Sequence, residues 1–344
     1  MLRTSARAAV SLAVLTALAG GIAMPSLAAT PSPQPATLRA PVPRHRGPAA
    51  GHNDYADATF ARPLAEGLTA FYARDFHAAQ AAFERALLVV PDNTLAISFL
   101  NAAAAQQPGA LDVLTNVEED AATGSPRNVV NHVRLGFSYL FQSIAGRDRT
   151  QDARDEFNAA TALDPDGAAA HVALGIMRFN ERSANRSKSE MLAALASDPN
   201  NVLAREYLGE LYQSDLHDPQ RGLTLEIDVP NLVPGYADID FHIASLLYDL
   251  KQYELAAKFA RSGLTTDVGH VGEAGLHGYT LLAQIDIDQR RLDEAKRVLA
   301  EAIDAGIDTI YARTLLAKIK NGDYDTASGN HVVSEPVTPS PTPR

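Results

Sequence analysis

Residues 168–201 read AAAHVALGIMRFNERSANRSKSEMLAALASDPNN, and the chain then starts the same pattern again 34 residues on. Leu174-Gly175 returns as Leu208-Gly209 and occurs upstream as Leu135-Gly136. Asp164-Pro165 and Asp198-Pro199 stand 34 residues apart, and the lead-in His171-Val172-x-Leu174-Gly175 copies His132-Val133-x-Leu135-Gly136. Each copy holds two runs of apolar residues at helical spacing, so one copy is a pair of amphipathic helices. Such a pair cannot bury its apolar face alone. Stacked copies can, which predicts an array in which each unit packs on its neighbours rather than around one central core.

A 34-residue period with a tight-packing Gly and a closing Asp-Pro resembles the tetratricopeptide repeat, across roughly Phe60 to Ala327. The resemblance implies an all-α fold: an α-solenoid of stacked helix-turn-helix units over 58–327, with about seven units and a capping helix. The first unit (Phe60–Asn93) carries Gly67, Ala79, Phe83, Ala86 and Pro91. The third (Val129–Gly167) carries Ala153, Phe157, Ala160 and Pro165, with extra length around Ser143–Thr150. In the fourth, the opening stretch, Met191 stands where the family has a large aromatic.

Units two and five are degenerate. The second (Thr94–Arg127) keeps helical spacing at Leu111, Leu114 and Val117 without the family residues. The fifth (Val202–Tyr236) opens well but places Pro230 where its second helix should continue. Proline costs roughly 3 kcal/mol in a helix interior, so a shortened helix or an irregular hairpin-like loop is expected there. The sixth shows Tyr253, Ala256 and Phe259, then closes in the Gly-rich insertion TTDVGHVGEAG. The seventh (Leu276–Asp308) aligns Leu292, Ala295, Leu299 and Ala302, and a last helical piece caps the array.

The ends have another character. Arg3 and Arg7, the uncharged run Ala8–Ala23 and the small-residue site Ser26-Leu27-Ala28 read as a secretory signal over 1–28, cleaved near Ala28. An uncleaved anchor is the second reading. The first predicts an exported protein, periplasmic or secreted, with no stable membrane insertion after signal removal. Residues 29–57 and 328–344 are Pro-rich and too poor in large apolar groups to offset their ordering entropy, so a disordered linker and a disordered tail are expected. The chain has no Cys, which removes disulfides, thiolate nucleophiles and Cys-based metal sites. A net charge of −11 disfavours nucleic acid as a partner.

Catalytic chemistry is sparse. His270, Glu273 and His277 come nearest to a metal set, but their spacing is not HExxH, and Gly269, Gly272 and Gly275 argue for a loop. No nucleophile-elbow, P-loop, dinucleotide or kinase pattern occurs. The expectation is a protein that is not an enzyme and uses no cofactor or metal. The alternative is an enzyme or glycan-processing accessory factor of the cell envelope working through the loop around His270–His277.

The resemblance implies instead a groove, in which first helices of successive units line a concave surface that takes a protein or peptide segment. Its register puts Leu68, Phe71 and Tyr72, then Phe137, Leu140 and Phe141, then Ile176 and Phe179 on or near that surface. Further along it puts Glu206, Glu210, Gln213, Asp238, Ser245, Asp249, Gln284 and Asp288 there. The aromatics read equally as packing between helices, and the acids as solvated charge. The partner implied carries apolar residues at one end and basic ones at the other.

Overall fold

The computed structural model describes residues 53–307 and 310–324. The expected signal and tail, and most of the linker, lie outside them. The helices fall into pairs: α1 (Ala58–Tyr72) and α2 (Phe76–Val89); α3 (Thr94–Ala105) and α4 (Ala110–Gly124); α5 (Val129–Ile144) and α6 (Thr150–Leu163); α7 (Ala168–Asn180) and α8 (Ala184–Ser197). Next come α9 (Val202–Ser214) with α10 (Pro219–Glu226) and the short α11 (Val229–Leu232). The array ends with α12 (Ala237–Asp249) and α13 (Tyr253–Thr266), α14 (Glu273–Asp288) and α15 (Leu292–Asp304), and α16 (Ile310–Lys320). No strand occurs among the described residues. The fold is the all-α solenoid.

Local chemistry sets the helix ends. Side chains of Asp75, Asn93 and Asn201 accept from the amides of Ala78, Ala96 and Ala204, capping α2, α3 and α9. After α1, α7, α12 and α14 the chain turns through a left-handed residue, and each is basic: Arg74, Arg182, Lys251 and Arg290 respectively. Glycine is the usual choice there; a cation instead complements the negative end of the helix it terminates. The Pro230 expectation is met by a break: the second helix of unit five stops at Glu226, and Pro230 sits in the first turn of α11, where its missing N–H costs nothing.

Within a unit, the second helix drives one large side chain against the glycine of the first. Phe83 lies on Gly67, Phe157 on Gly136, Met191 on Gly175 and Glu226 on Gly209, so close that a β-carbon at any of these glycines would overlap the neighbour. The repeated histidines also have one job. His132 Nε2 bonds Pro126 O at 3.0 Å and Nδ1 bonds Glu156 at 2.6 Å; His171 bonds Pro165 O and Glu190 at 2.8 Å each. Each ring ties the entry turn of its unit to the second helix. Arg205 takes the place in unit five and donates to Pro199 O.

The expectation that units touch only their neighbours fails at α3. Ten of its twelve residues are buried, including Leu95, Ile97, Phe99 and Leu100, and it packs on α7 and α9 as well as on α1, α2, α4 and α5. Thr94 Oγ1 bonds Asn201 at 3.3 Å, and Phe99 meets Tyr236 edge to face at 5.6 Å. The array therefore curls back until one first helix lies enclosed by others. That explains why unit two departs from the family residues: a helix enclosed all round needs apolar and small residues all round. The curl also brings the turn after α1 onto the loop between α13 and α14, where Gly269 N–H donates to Tyr72 O at 2.7 Å and Arg74 donates to Gly269 O.

The expected linker extends less far than residue 57. Asp54–Ala56 forms a 3-10 turn, and Tyr55 stacks on Phe60 and accepts from Asn93. Its ring supplies the apolar area that the preceding Pro-rich stretch lacks.

Candidate functional site

The apolar candidates are built into the packing. Leu68, Phe71, Tyr72, Phe137, Leu140, Phe141 and Ile176 are all buried, because the curled array presses first helices against one another. Phe71 sits edge to face with Phe76, Tyr72 and Phe99; Phe137 is in the same relation to Phe157. No ring among these is open to a ligand. Phe179 differs: it is half-buried and meets the half-buried Tyr207 edge to face at 5.3 Å.

Glu206, Glu210 and Asp238 are buried too, so they are not solvated charge. They join Glu226 and Glu273 around His242, at the junction of α9, α10, α12 and α14. His242 Nε2 lies 2.9 Å from Glu273 and 3.9 Å from Glu206, and Tyr236 donates to Glu206 at 2.5 Å. Glu226, at 0 % exposure, has both carboxylate oxygens without a hydrogen-bond partner, and so do one oxygen of Glu210 and one of Asp238. Burial disfavours the ionised form of each. It lifts the Glu210 carboxyl to about 8, and burial with neighbouring carboxylates holds Glu226 and Asp238 well above the ordinary range. His242 moves up as well: its burial opposes the charge, but Glu273, by charge and hydrogen bond, outweighs that.

The remaining candidates stay accessible and form a strip. Gln213 on α9 donates to Ser245 at 2.9 Å and to Asp249 at 2.6 Å, both on α12. Tyr248 on α12 donates to Asp288 on α14 at 2.6 Å, which also accepts from Gln284. Three successive first helices thus present amides, hydroxyls and two carboxylates at their C-terminal ends.

The His270–His277 loop does not assemble. Glu273 points to His242, His270 packs on Tyr279 at 5.9 Å, and His277 lies against Phe241 at 6.0 Å. Against expectation, Glu273, Gly275 and His277 begin a helix. Asp267 causes this by accepting from the amides of Val271, Gly272 and Gly275, which turns the insertion into α14. Among the described residues no cluster of three or more His, Asp or Glu is arranged to hold a metal ion.

Sequence reading missed His242, Tyr236 and Tyr248, and it passed over Glu226. Only Glu226 left a signal, since it follows Gly209 at the distance, within a residue, at which Phe83 follows Gly67 and Met191 follows Gly175.

A tetratricopeptide-repeat family profile matches residues 64–100. The type IV pilus assembly protein PilF of Pseudomonas aeruginosa is 25% identical over 134 residues, which are 39% of this chain. The chain spans about half (51%) of that relative's length. The solved structure of Pseudomonas aeruginosa PilF superposes with a TM-score of 0.50 at 15% identity, covering 66% of this chain and 98% of that one. The human IFIT1 dimer with PPP-AAAA gives 0.51 at 13% identity, covering 72% and 59%. At these identities the structural likeness is one of fold. Among the described residues no helix is long and apolar enough to cross a membrane.

Proposed function

The chain is a tetratricopeptide-repeat solenoid, and from that premise we propose that it is a non-catalytic scaffold which holds a basic segment of a partner protein. The observation that carries this is the strip Gln213–Asp249–Asp288, where accessible polar groups line up on successive first helices while the apolar candidates are buried. Two carboxylates with amide and hydroxyl donors suit Lys or Arg side chains and a peptide backbone. Phe179 and Tyr207, half-buried, are the apolar anchor nearest to this description. Repeat scaffolds of this kind bind protein partners, and His270, Glu273 and His277, on which the enzyme alternative rested, turn to separate neighbours.

The test is binding of the whole chain to matched synthetic peptides, one Lys/Arg-rich and one Glu-rich. Selective binding of the basic peptide is expected, weakened by Asp249→Lys with Asp288→Lys at low ionic strength and less so at high. An exposed charge contact contributes only about 0.2–1 kcal/mol, so losing the two attractions lowers affinity by up to roughly thirtyfold, and the like charges introduced by the two lysines lower it further. Equal binding of both peptides, or an unaffected double variant at low salt, would sink the reading.

Export belongs to the same proposal and rests on Arg3, Arg7 and the Ala8–Ala28 pattern. A tag after Arg344 should recover a chain beginning near Ala29; recovery with Met1 in the membrane fraction would establish an anchor instead.

A further inference from the structure

Besides the contacts of α3, the curl is closed between the turn after α1 and the loop from α13 to α14. Gly269 N–H donates to Tyr72 O, Arg74 reaches over Gly269 O, and Gly272 lies flat between the Tyr72 ring and the Asp238 carboxylate, with no room for a β-carbon. Asp238 therefore sits directly behind the closure. Its Oδ1 takes a long bond of 3.4 Å from Ala274 N–H, its Oδ2 makes no well-formed hydrogen bond, and the Tyr72 hydroxyl lies beside it.

Every element around the buried acidic cluster that includes Asp238 brings a titratable group. Tyr72 comes from α1, Glu206, Tyr207 and Glu210 from α9, Glu226 from α10, and Tyr236 from the residue before α12. His242 comes from α12, Asp267 and His270 from the loop, and Glu273 and His277 from α14. Asp267 is satisfied by three amides, and His242 is the cation set among the other carboxylates. Ionising Asp238 places a charge, with only the long Ala274 bond and the Tyr72 hydroxyl beside it, between Glu273, Asp267 and Glu206. Admitting water would relieve it, and Tyr72 and Gly272 are the groups that stand between this carboxylate and the closure.

We propose that this closure is a proton-held clasp: shut while Asp238 and the carboxylates behind it carry protons, and opened as they ionise. The direction follows from linkage. A carboxyl held above its unfolded value binds its proton more tightly in the shut form, so that form is fully favoured at acid pH and loses ground as pH rises. Burial and the neighbouring carboxylates push Asp238, Glu226, Glu210 and Glu206 the same way, and His242 shares their sign. Each proton released on opening shifts the shut-to-open ratio by at most about tenfold per pH unit.

The absence of cysteine makes a direct test available. Ala73 and Val268 are exposed residues on the two sides of the clasp. Ala73→Cys with Val268→Cys in the whole chain takes a pair of spin labels, whose separation is read by pulsed electron resonance between pH 5.5 and pH 9. The expected result is one short separation at pH 5.5 and a longer population that grows at least tenfold by pH 9. Helix content by circular dichroism should stay constant throughout. Asp238→Asn should keep the short separation at pH 9; if that variant does not fold, Glu226→Met decides the same question by moving the midpoint to higher pH. An unchanged separation across the range would overturn the clasp. So would opening of the folded variant to the native extent, or loss of helix in step with the separation.

Discussion

Units three and four, set beside units five and six, show one architecture filled in two ways. In unit three Phe157 fills the hollow over Gly136, and in unit four Met191 fills the hollow over Gly175. In unit five the same hollow over Gly209 holds Glu226, and the space toward unit six holds Glu206, Glu210, Asp238 and Glu273 about a single imidazole. Apolar knobs stabilise their unit at any pH. A carboxyl knob does so only while protonated, because a buried charge without partners is strongly disfavoured. The repeat backbone thus tolerates either filling, and what changes is the dependence on conditions.

The largest effect should come from emptying an apolar hollow. Phe157→Ala removes a fully buried ring and its contact with Phe137, and is expected to cost about 3–5 kcal/mol in urea unfolding. A cost below about 1 kcal/mol would mean that the hollow collapses without penalty, erasing the contrast with unit five. The reverse substitution sharpens it: Glu226→Met copies unit four into unit five and removes two unpartnered oxygens. A gain of about 1–3 kcal/mol is expected, larger at pH 8.5 than at pH 5. If Glu226→Met destabilises at pH 8.5, the carboxyl has a stabilising partner and the buried-charge argument fails.

Native stability should fall from pH 5 toward pH 8.5. The raised carboxyls bind protons in the folded chain that the unfolded chain has already released, so unfolding becomes easier as pH climbs through the value near 8 for Glu210. Glu210→Gln should flatten this slope in thermal melts recorded across the range; an equal slope would move the effect to other groups. The smallest change belongs to the well-paired side. His171→Ala removes one tie to Pro165 and one to Glu190, both at a partly exposed ring, and about 1 kcal/mol is expected. A loss several times larger would show the histidine tie to be a main support of unit four.

The period, the helix pairs, the tight-packing glycines Gly67, Gly136 and Gly175 and the break at Pro230 were legible in the residues alone. All of these are decided within one unit, by residues fewer than 34 positions apart, where helical spacing and turn chemistry act directly. The strip on α9, α12 and α14 was legible for the same reason: equal register places put Gln213, Asp249 and Asp288 on equivalent faces. Which of the remaining candidates face solvent depended on the packing of the whole array. Phe71, Tyr72 and Phe137 look alike in a groove or in a core, and the curl of the whole array, a sum of small rotations between units, put them inside. The same sum brought Gly269 onto Tyr72 and enclosed Glu206, Glu210 and Asp238 around His242. No single residue encodes that rotation, because each interface adds only a little and closure is felt where the ends of the sum meet.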